Sequence, residues 1–268
     1  MLSGIAYSGG KSIESHTKTG PWIASMLPYR EAYAEPFAGM LGVLLQRKKS
    51  QYEMVNDLEG LICKFWECIR KHPDELEWRC ANSPLCRKTY EDAWDIRDRH
   101  LRGEEFPVLD LAHAVAVILT SGYSGIMTSR YFASSVFSHH RRLHRFWPKI
   151  AGLHKRAIDI QIENLCALEF LDKTKDIADC VIYCDPPYPE TGKMYMHDIP
   201  SKADFMDVLK QQKGLVAVSG YGAAFDDLDW HKEVKGVTLT VSKQTAQRTE
   251  GLWMNFKPEK QPSLLDGV

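Results

Sequence analysis

Val181-Ile182-Tyr183-Cys184-Asp185-Pro186-Pro187-Tyr188 is a short apolar run that ends abruptly in Asp-Pro-Pro-Tyr. Two prolines cannot continue a sheet ladder, because proline has no N–H to donate and biases the residue before it, here Asp185, towards an extended conformation. The Asp185 carboxylate, the Pro186 carbonyl and the Tyr188 ring are therefore expected at the carboxyl end of a strand. In an open α/β sheet that is where ligands bind. The plain alternative is a proline-rich turn that only stops a buried strand. With proline near 5% of residues, the full tetrapeptide arises by chance in about one chain in a thousand of this length, which favours a functional site.

Working outward, strand-like runs recur at Ala32 to Glu35, Tyr52 to Val55, Ile158 to Ile162, Cys180 to Cys184, Leu215 to Val218, Val237 to Val241 and Leu252 to Phe256. They are short, rich in β-branched residues and bounded by turn formers. Helical spacing appears between several of them, at Leu41 to Lys48, Leu58 to Arg70 and Lys202 to Gln211. Such alternation predicts an α/β fold, a largely parallel sheet with helices on both faces. It fails between about 71 and 155, where Tyr90 to Arg97 and Leu109 to Thr120 read as helices in a charged, aromatic segment. The expected organisation is a sheet domain built from 1–70 and 156–268, with 71–155 inserted into it. The tail from Pro258 lacks periodicity and reads as loosely attached.

Composition narrows the class. A chain of 268 residues, 44% apolar and 26% charged, is ordinary for a soluble globular protein, and no apolar run approaches the length of a membrane span. The start, Met1 to Tyr7, has neither the basic beginning nor the apolar stretch of a signal peptide, so a cytoplasmic protein is expected. Seven cysteines without a Cys-x-x-Cys pair read as reduced core thiols rather than disulfides, and no metal site is expected. A net charge of −1 excludes a globally basic nucleic-acid binder while leaving room for a local basic patch.

A second group of residues surrounds the first strand. Glu35-Pro36-Phe37-Ala38-Gly39-Met40-Leu41-Gly42 follows it, and glycines at such a junction let the backbone approach a ligand closely. Asn56-Asp57-Leu58 ends the second strand, where an acidic residue in nucleotide-binding α/β folds accepts from ribose hydroxyls. Together these suggest an adenosine-containing ligand. The Gly39 loop alone is neither a dinucleotide fingerprint nor a P-loop, and a helix start that needs small residues for packing explains it equally well. Tyr7-Ser8-Gly9-Gly10-Lys11 reads on its own as a surface turn.

Tyr7 to Lys11, Glu35 to Gly39, Asn56-Asp57, Asp185 to Tyr188 and Thr249-Glu250-Gly251-Leu252-Trp253, taken in this order, resemble the adenine-specific DNA methyltransferases of the Dam type, phage members included. Cofactor motif, target-recognition region and catalytic tetrapeptide follow one another as in that family's α group. The resemblance implies a Rossmann-like S-adenosylmethionine-dependent methyltransferase fold, with a mostly parallel seven-stranded sheet and an inserted helical target-recognition domain. It implies S-adenosylmethionine as methyl donor and S-adenosylhomocysteine as product. Cofactor contacts would come from Tyr7, Gly10, Lys11, Glu35, Pro36, Phe37, Gly39, Asp57, Leu58, Cys166, Ala167 and Asp185, and catalysis from Asp185, Pro186, Pro187 and Tyr188. The implied partner is double-stranded DNA, methylated in a bacterial cell or a phage-infected host by a monomer or weak dimer, with a restriction endonuclease as a conceivable counterpart. Two positions depart from the pattern. Leu41 stands where the family usually has a second glycine, with Gly42 one place later, and Cys166 stands where relatives commonly carry an Asp that accepts from the cofactor's adenine. A thiol accepts poorly, and losing one such bond costs about 1 kcal/mol, which weakens binding without abolishing it.

Chemically, the adenine amine is a poor nucleophile because its lone pair is delocalised into the ring. A carboxylate and a carbonyl that each accept one N–H would localise it, and an aromatic face such as Tyr188 would stack the base. The amine cannot reach such a pocket from within a duplex, so the nucleotide must be flipped out. From His139 to Arg156 the chain carries six Lys or Arg and no acidic residue. Arg141, Arg142, Arg145 and Lys149 suit a phosphate backbone, and Tyr123 and Arg130 in the Gly/Ser-rich stretch before them suit a groove. The competing view of this segment is a solvated helix face with Leu143, Phe146, Trp147 and Ile150 in the core. For the whole chain the alternatives are a cytosine-N4 methyltransferase and a catalytically weakened DNA-binding relative.

Overall fold

The computed structural model describes residues 5, 11, 18–122, 127–128, 130–132, 141–187, 201–241 and 244–258. Helix α1 (Thr19–Met26) leads into strand β1 (Ala32–Glu35), and a loop with one 3-10 turn (Leu44–Gln46) connects β1 to β2 (Tyr52–Asn56). A helical stretch follows: α2 (Gly60–Lys71), α3 (Pro73–Asn82), α4 (Arg87–Leu101), α5 (Val108–Ser121), α6 (Arg141–Phe146) and α7 (Ile150–Ala157). The sheet then resumes with β3 (Gln161–Glu163), α8 (Ala167–Thr174), β4 (Cys180–Cys184), α9 (Lys202–Lys210) and β5 (Leu215–Tyr221). It closes on a long hairpin of β6 (His231–Val241) and β7 (Gln244–Met254).

Seven strands form one sheet in the order β3-β2-β1-β4-β5-β7-β6. The pairings from β3 to β5 are parallel, and β7 runs antiparallel to both β5 and β6. Strand order proceeds outward from β1 through β2 to β3 on one side and from β4 to β5 on the other. The reversal lies between β1 and β4, and the crevice at their carboxyl ends is the switch point at which α/β sheets bind ligands. The fold is the seven-stranded, mostly parallel α/β architecture that the sequence resemblance implies.

Alternation along the strands divides the core. Tyr33, Val181, Tyr183, Ala217, Leu252 and Met254 face a helical layer with Ile62, Phe65, Trp66, Val115 and Leu153. Ala34, Ile182, Cys184, Val218 and Trp253 face Phe170 and Leu171 of α8 and Phe205 and Leu209 of α9. Every residue of β4 is buried, as expected of a parallel strand covered on both faces. Segment 71–155 contributes α3 to α6 and the start of α7. Its Leu76, Tyr90, Trp94 and Leu143 share one continuous apolar cluster with α2 and the sheet.

Two local expectations are overturned. Residues 41–48 form no α-helix, although Leu41, Leu44 and Leu45 have helical spacing. Leu41 takes a left-handed backbone, φ 55°, which ends any helix before it begins, and Leu44–Gln46 manages a single 3-10 turn. The strand expected at 158–162 is displaced to Gln161–Glu163, because α7 runs on to Ala157 and leaves Ile158 in an exposed turn. The strands expected at Val237 to Val241 and Leu252 to Phe256 are present but begin earlier, at His231 and Gln244, and pair with each other antiparallel.

Candidate active site

At the carboxyl end of β4, Asp185 meets Lys11. The Lys11 Nζ lies 2.8 Å from Oδ1 and 3.0 Å from Oδ2, so one ammonium holds both carboxylate oxygens. On the far side, the Ser219 hydroxyl of β5 donates to Oδ1 at 2.9 Å, and the Tyr183 hydroxyl sits 2.9 Å from Ser219 Oγ. Glu250 of β7 approaches Lys11 Nζ at 3.4 Å. Lys11 is 5% exposed, Glu250 2% and Asp185 17%, so the carboxylate of Asp185 alone reaches the crevice to an appreciable degree. Burial works against the Lys11 charge, but attraction to Asp185 and then Glu250 outweighs it and raises its pKa.

Sheet register explains the convergence. Cys184 pairs with Val218, so Asp185 and Ser219 are the next residues along neighbouring strands, and Tyr221 pairs with Glu250 across β5 and β7. Lys11 reaches them because two glycines leave its backbone room. A Cβ on Gly20 would lie 1.7 Å from the Lys11 carbonyl oxygen, and one on Gly42 would lie 2.8 Å from its carbonyl carbon. Gly42 is therefore required for close approach. The neighbouring Leu41, where the sequence departs from the family pattern, carries the left-handed conformation itself, at a cost of about 1–2 kcal/mol.

The other side of the crevice is formed by the ends of β1, β2 and β3. Asn56, fully buried, donates from Nδ2 to the carbonyls of Pro36 and Leu165 at 3.0 and 3.1 Å and accepts from Leu165 N at 2.8 Å, tying three strand-end loops together. Asp57 accepts from Gly39 N at 2.7 Å and Glu59 N at 2.9 Å. Gly39 has φ 47°, and its carbonyl accepts from the Trp66 indole at 2.9 Å. Leu58 is exposed beside them. Cys166 precedes α8, with its backbone N donating to Glu169 Oε2 at 3.3 Å, and Ala167 opens that helix, buried. Phe37 packs edge-on against Phe205 at 5.7 Å.

Glu35 and Pro36 lie deeper than a surface contact would. Glu35 is fully buried and accepts from the Tyr33 hydroxyl at 2.6 Å. Burial pushes its carboxyl up to about 8, against the opposing pulls of Tyr33 and Arg47. The folded protein thus holds this proton more tightly than the unfolded chain, whose carboxyl titrates near 4.5. The resulting stabilisation is complete below about pH 4.5 and is lost as the pH rises through about 8. Urea denaturation from pH 5 to 9 is expected to show wild-type stability falling relative to Glu35→Gln, whose side chain stays neutral. Parallel pH profiles for the two proteins would contradict this assignment.

Tyr7, Gly10, Tyr123 and Tyr188 lie outside the described residues, as do Ser8, Gly9 and most of the tail. Pro186 is buried and Pro187 half-buried beside Asp185. In the basic segment, Arg141 and Arg142 begin α6, His144 and Arg145 are exposed, Lys149 is half-buried, and Leu143, Phe146 and Ile150 are in the core. The apolar face expected of that segment is present, with Trp147 only partly buried on it, and Arg145 lies on the exposed side. Arg130 is exposed, ion-paired with Asp98 and stacked 5.4 Å over Trp94.

The sequence does not single out Ser219 or Tyr183 for the site, and Asn56 and Glu250 stand in it only as parts of motifs. A polar residue directly after an apolar strand was the visible signal for Ser219, and its relation to Asp185 appears only once β4 and β5 are paired.

The model of the D12 class N6 adenine-specific DNA methyltransferase family matches residues 7–207, from before α1 into α9 and through the whole Asp185 tetrapeptide. The chain belongs to that family. No individual curated protein matches it. The methyltransferase transfers a methyl group from S-adenosylmethionine to the N6 of adenine in DNA, and nothing supports cytosine N4 as the acceptor. The crevice suits such a donor. It offers a carboxylate at the end of β2, a glycine-bearing loop after β1, and the Asp185 carboxylate, partly exposed beside Lys11.

Proposed function

We propose that this enzyme methylates adenine flipped out of double-stranded DNA, with Asp185 and the Pro186 carbonyl receiving the target amine. The observation carrying this reading is the Asp185 carboxylate, partly exposed at the β1/β4 switch point and held by Lys11 and Ser219. When bound, S-adenosylmethionine supplies an electrophilic methyl on a sulfonium. Asp185 and Pro186 accept the two N–H groups, draw the nitrogen lone pair out of the ring and orient it for in-line attack. Transfer would form the N–C bond as the S–C bond breaks with its electron pair kept on sulfur, and the Asp185 carboxylate would receive the amine proton. Pro187 stiffens the turn, and Tyr188 stacks the base. Asp57 and the Gly39 loop receive the adenosine half of the cofactor, with Tyr7, Gly10, Phe37, Leu58, Cys166 and Ala167 around it, while Glu35 and Pro36 support the loop from beneath.

Segment 71–155 serves as target-recognition region, with the cations of α6 on phosphates and residues 123–130 near the bases. Motif order supports the Dam type within the class. Among the described residues no helix is long and apolar enough to cross a membrane. The enzyme is read as cytoplasmic, acting as a monomer or weak dimer. The test begins by mapping N6-methyladenine in duplex DNA incubated with the enzyme and then replacing the mapped adenine with 2-aminopurine. Its fluorescence is expected to rise on binding as the base leaves the stack. The combined Arg141→Ala, Arg142→Ala and Arg145→Ala variant is expected to weaken that binding and flatten the slope of log affinity against log salt by about 2–3, one phosphate contact per cation. Unchanged fluorescence would rule out flipping, and an unchanged slope would remove α6 from the DNA interface.

A further inference from the structure

The end of β4 fixes the backbone of Asp185 and leaves its side chain to be held by other groups. The last torsion of an Asp side chain joins an sp³ to an sp² carbon and is broad and two-fold, so the plane of the carboxylate is soft unless donors hold it. The two oxygens must nevertheless keep one direction if a lone pair is to meet an amine N–H in line. Lys11 approaches both oxygens from one side, a geometry that leaves rotation about that contact weakly opposed. Ser219 approaches Oδ1 from a neighbouring strand at 2.9 Å and locks the plane.

The direction of this hydrogen-bond chain is forced. Beside the Lys11 ammonium the carboxylate is an acceptor only, and a serine hydroxyl has one proton. If Ser219 gives that proton to Asp185, the Tyr183 hydroxyl, 2.9 Å from Ser219 Oγ, must donate to Ser219. The weaker contact from Ser219 to the Cys184 carbonyl, at 3.4 Å, then leaves the proton on the Asp185 side. Both residues are buried, at 0% and 3% exposure, so bulk water cannot take either place. Burial also holds the Tyr183 phenol well above its usual pKa, which keeps it a donor across the working pH range.

We propose that Ser219, oriented by Tyr183, is a positioning residue for methyl transfer, and that the chain Tyr183 to Ser219 to Asp185 sets the plane of the accepting carboxylate. This rests on the reading of Asp185 as the acceptor of the target amine. Neither residue touches substrate, so the effect falls on the rate and not on affinity.

The test is single-turnover methylation of saturating duplex DNA by the full-length chain, with stability and the affinities for DNA and S-adenosylmethionine measured alongside. Ser219→Ala is expected to slow transfer by about 10-fold, the worth of one hydrogen bond to a charged group, with both affinities within about two-fold of wild type. Tyr183→Phe is expected to slow it by about three-fold. In both variants the loss falls on the single-turnover rate alone. A role confined to packing would lower stability and the two affinities along with the rate. Asp185→Asn is the control for the underlying reading. If Asp185→Asn transfers at the wild-type rate, Asp185 is not the acceptor. If Asp185→Asn is inactive while Tyr183→Phe and Ser219→Ala keep the wild-type rate, the positioning role is overturned. Should Ser219→Ala not fold, Tyr183→Phe decides the question, since it removes one hydroxyl oxygen and keeps the ring.

Discussion

Asp185→Ala is expected to fold, to bind duplex DNA within about two- to three-fold of wild type, and to lose methyl transfer by at least about 100-fold, the usual worth of a polar group that acts in the transition state. The charges around it explain why folding is tolerated. Wild type sets one ammonium against two carboxylates, and removing Asp185 leaves Lys11 with Glu250 at 3.4 Å, a neutral pair already in place. No buried charge is orphaned. Ser219 loses its acceptor, but the Cys184 carbonyl at 3.4 Å can receive its proton. The chemistry is not similarly protected. Without the carboxylate, one of the two acceptors proposed for the amine is gone, and the nitrogen lone pair stays in the ring. Transfer of labelled methyl groups under single-turnover conditions measures the loss, and a rate above about a tenth of wild type would refute the role assigned to Asp185.

Much of this arrangement was legible in the sequence. β1 and β4 begin and end where their apolar runs do, at Ala32–Glu35 and Cys180–Cys184, because a parallel strand buried on both faces is written as an uninterrupted apolar stretch closed by turn formers. The β4 ending also predicted the site, since two prolines fix where pairing stops. The loop after β1 was misread for the opposite reason. Helical spacing at Leu41, Leu44 and Leu45 is a local signal, whereas the left-handed Leu41 and the approach of the Lys11 backbone to Gly42 are tertiary demands that override it. The early part of β6 was missed because Lys232, Glu233 and Lys235 make an edge strand look like a charged loop, and such charges are what an edge carries. Ser219 and Glu250 stayed hidden because their meaning is relational. Each becomes a site residue only when the register of β5 and β7 brings it beside Asp185 or Lys11, from 34 and 239 positions away in the chain respectively.

Lys11→Met should behave as the inverse of Asp185→Ala. The methionine chain fills much of the same space but removes the ammonium that Asp185 and Glu250 share among the described residues, one of these carboxylates being 2% exposed. Removing one partner from a buried ion pair costs about 3–5 kcal/mol, so a large fraction of the total stability is at stake. Asp185 is 17% exposed and recovers some hydration, which places the expected loss near the lower end, about 3 kcal/mol. Adding Glu250→Gln to Lys11→Met removes the second buried charge and should restore most of that loss. It should not restore methyl transfer, because the donor that held both oxygens of Asp185 at 2.8 and 3.0 Å is still missing. The double variant is therefore expected to melt near wild type in urea while transferring methyl at least about 10-fold more slowly, a loss that includes more than one hydrogen bond to a charged group. Recovery of both properties would mean that Lys11 only neutralises charge. Recovery of neither would mean that Glu250 supports β7 through contacts other than Lys11. Recovery of stability alone separates the two duties of Lys11: balancing two buried carboxylates, and aiming the one that meets the base.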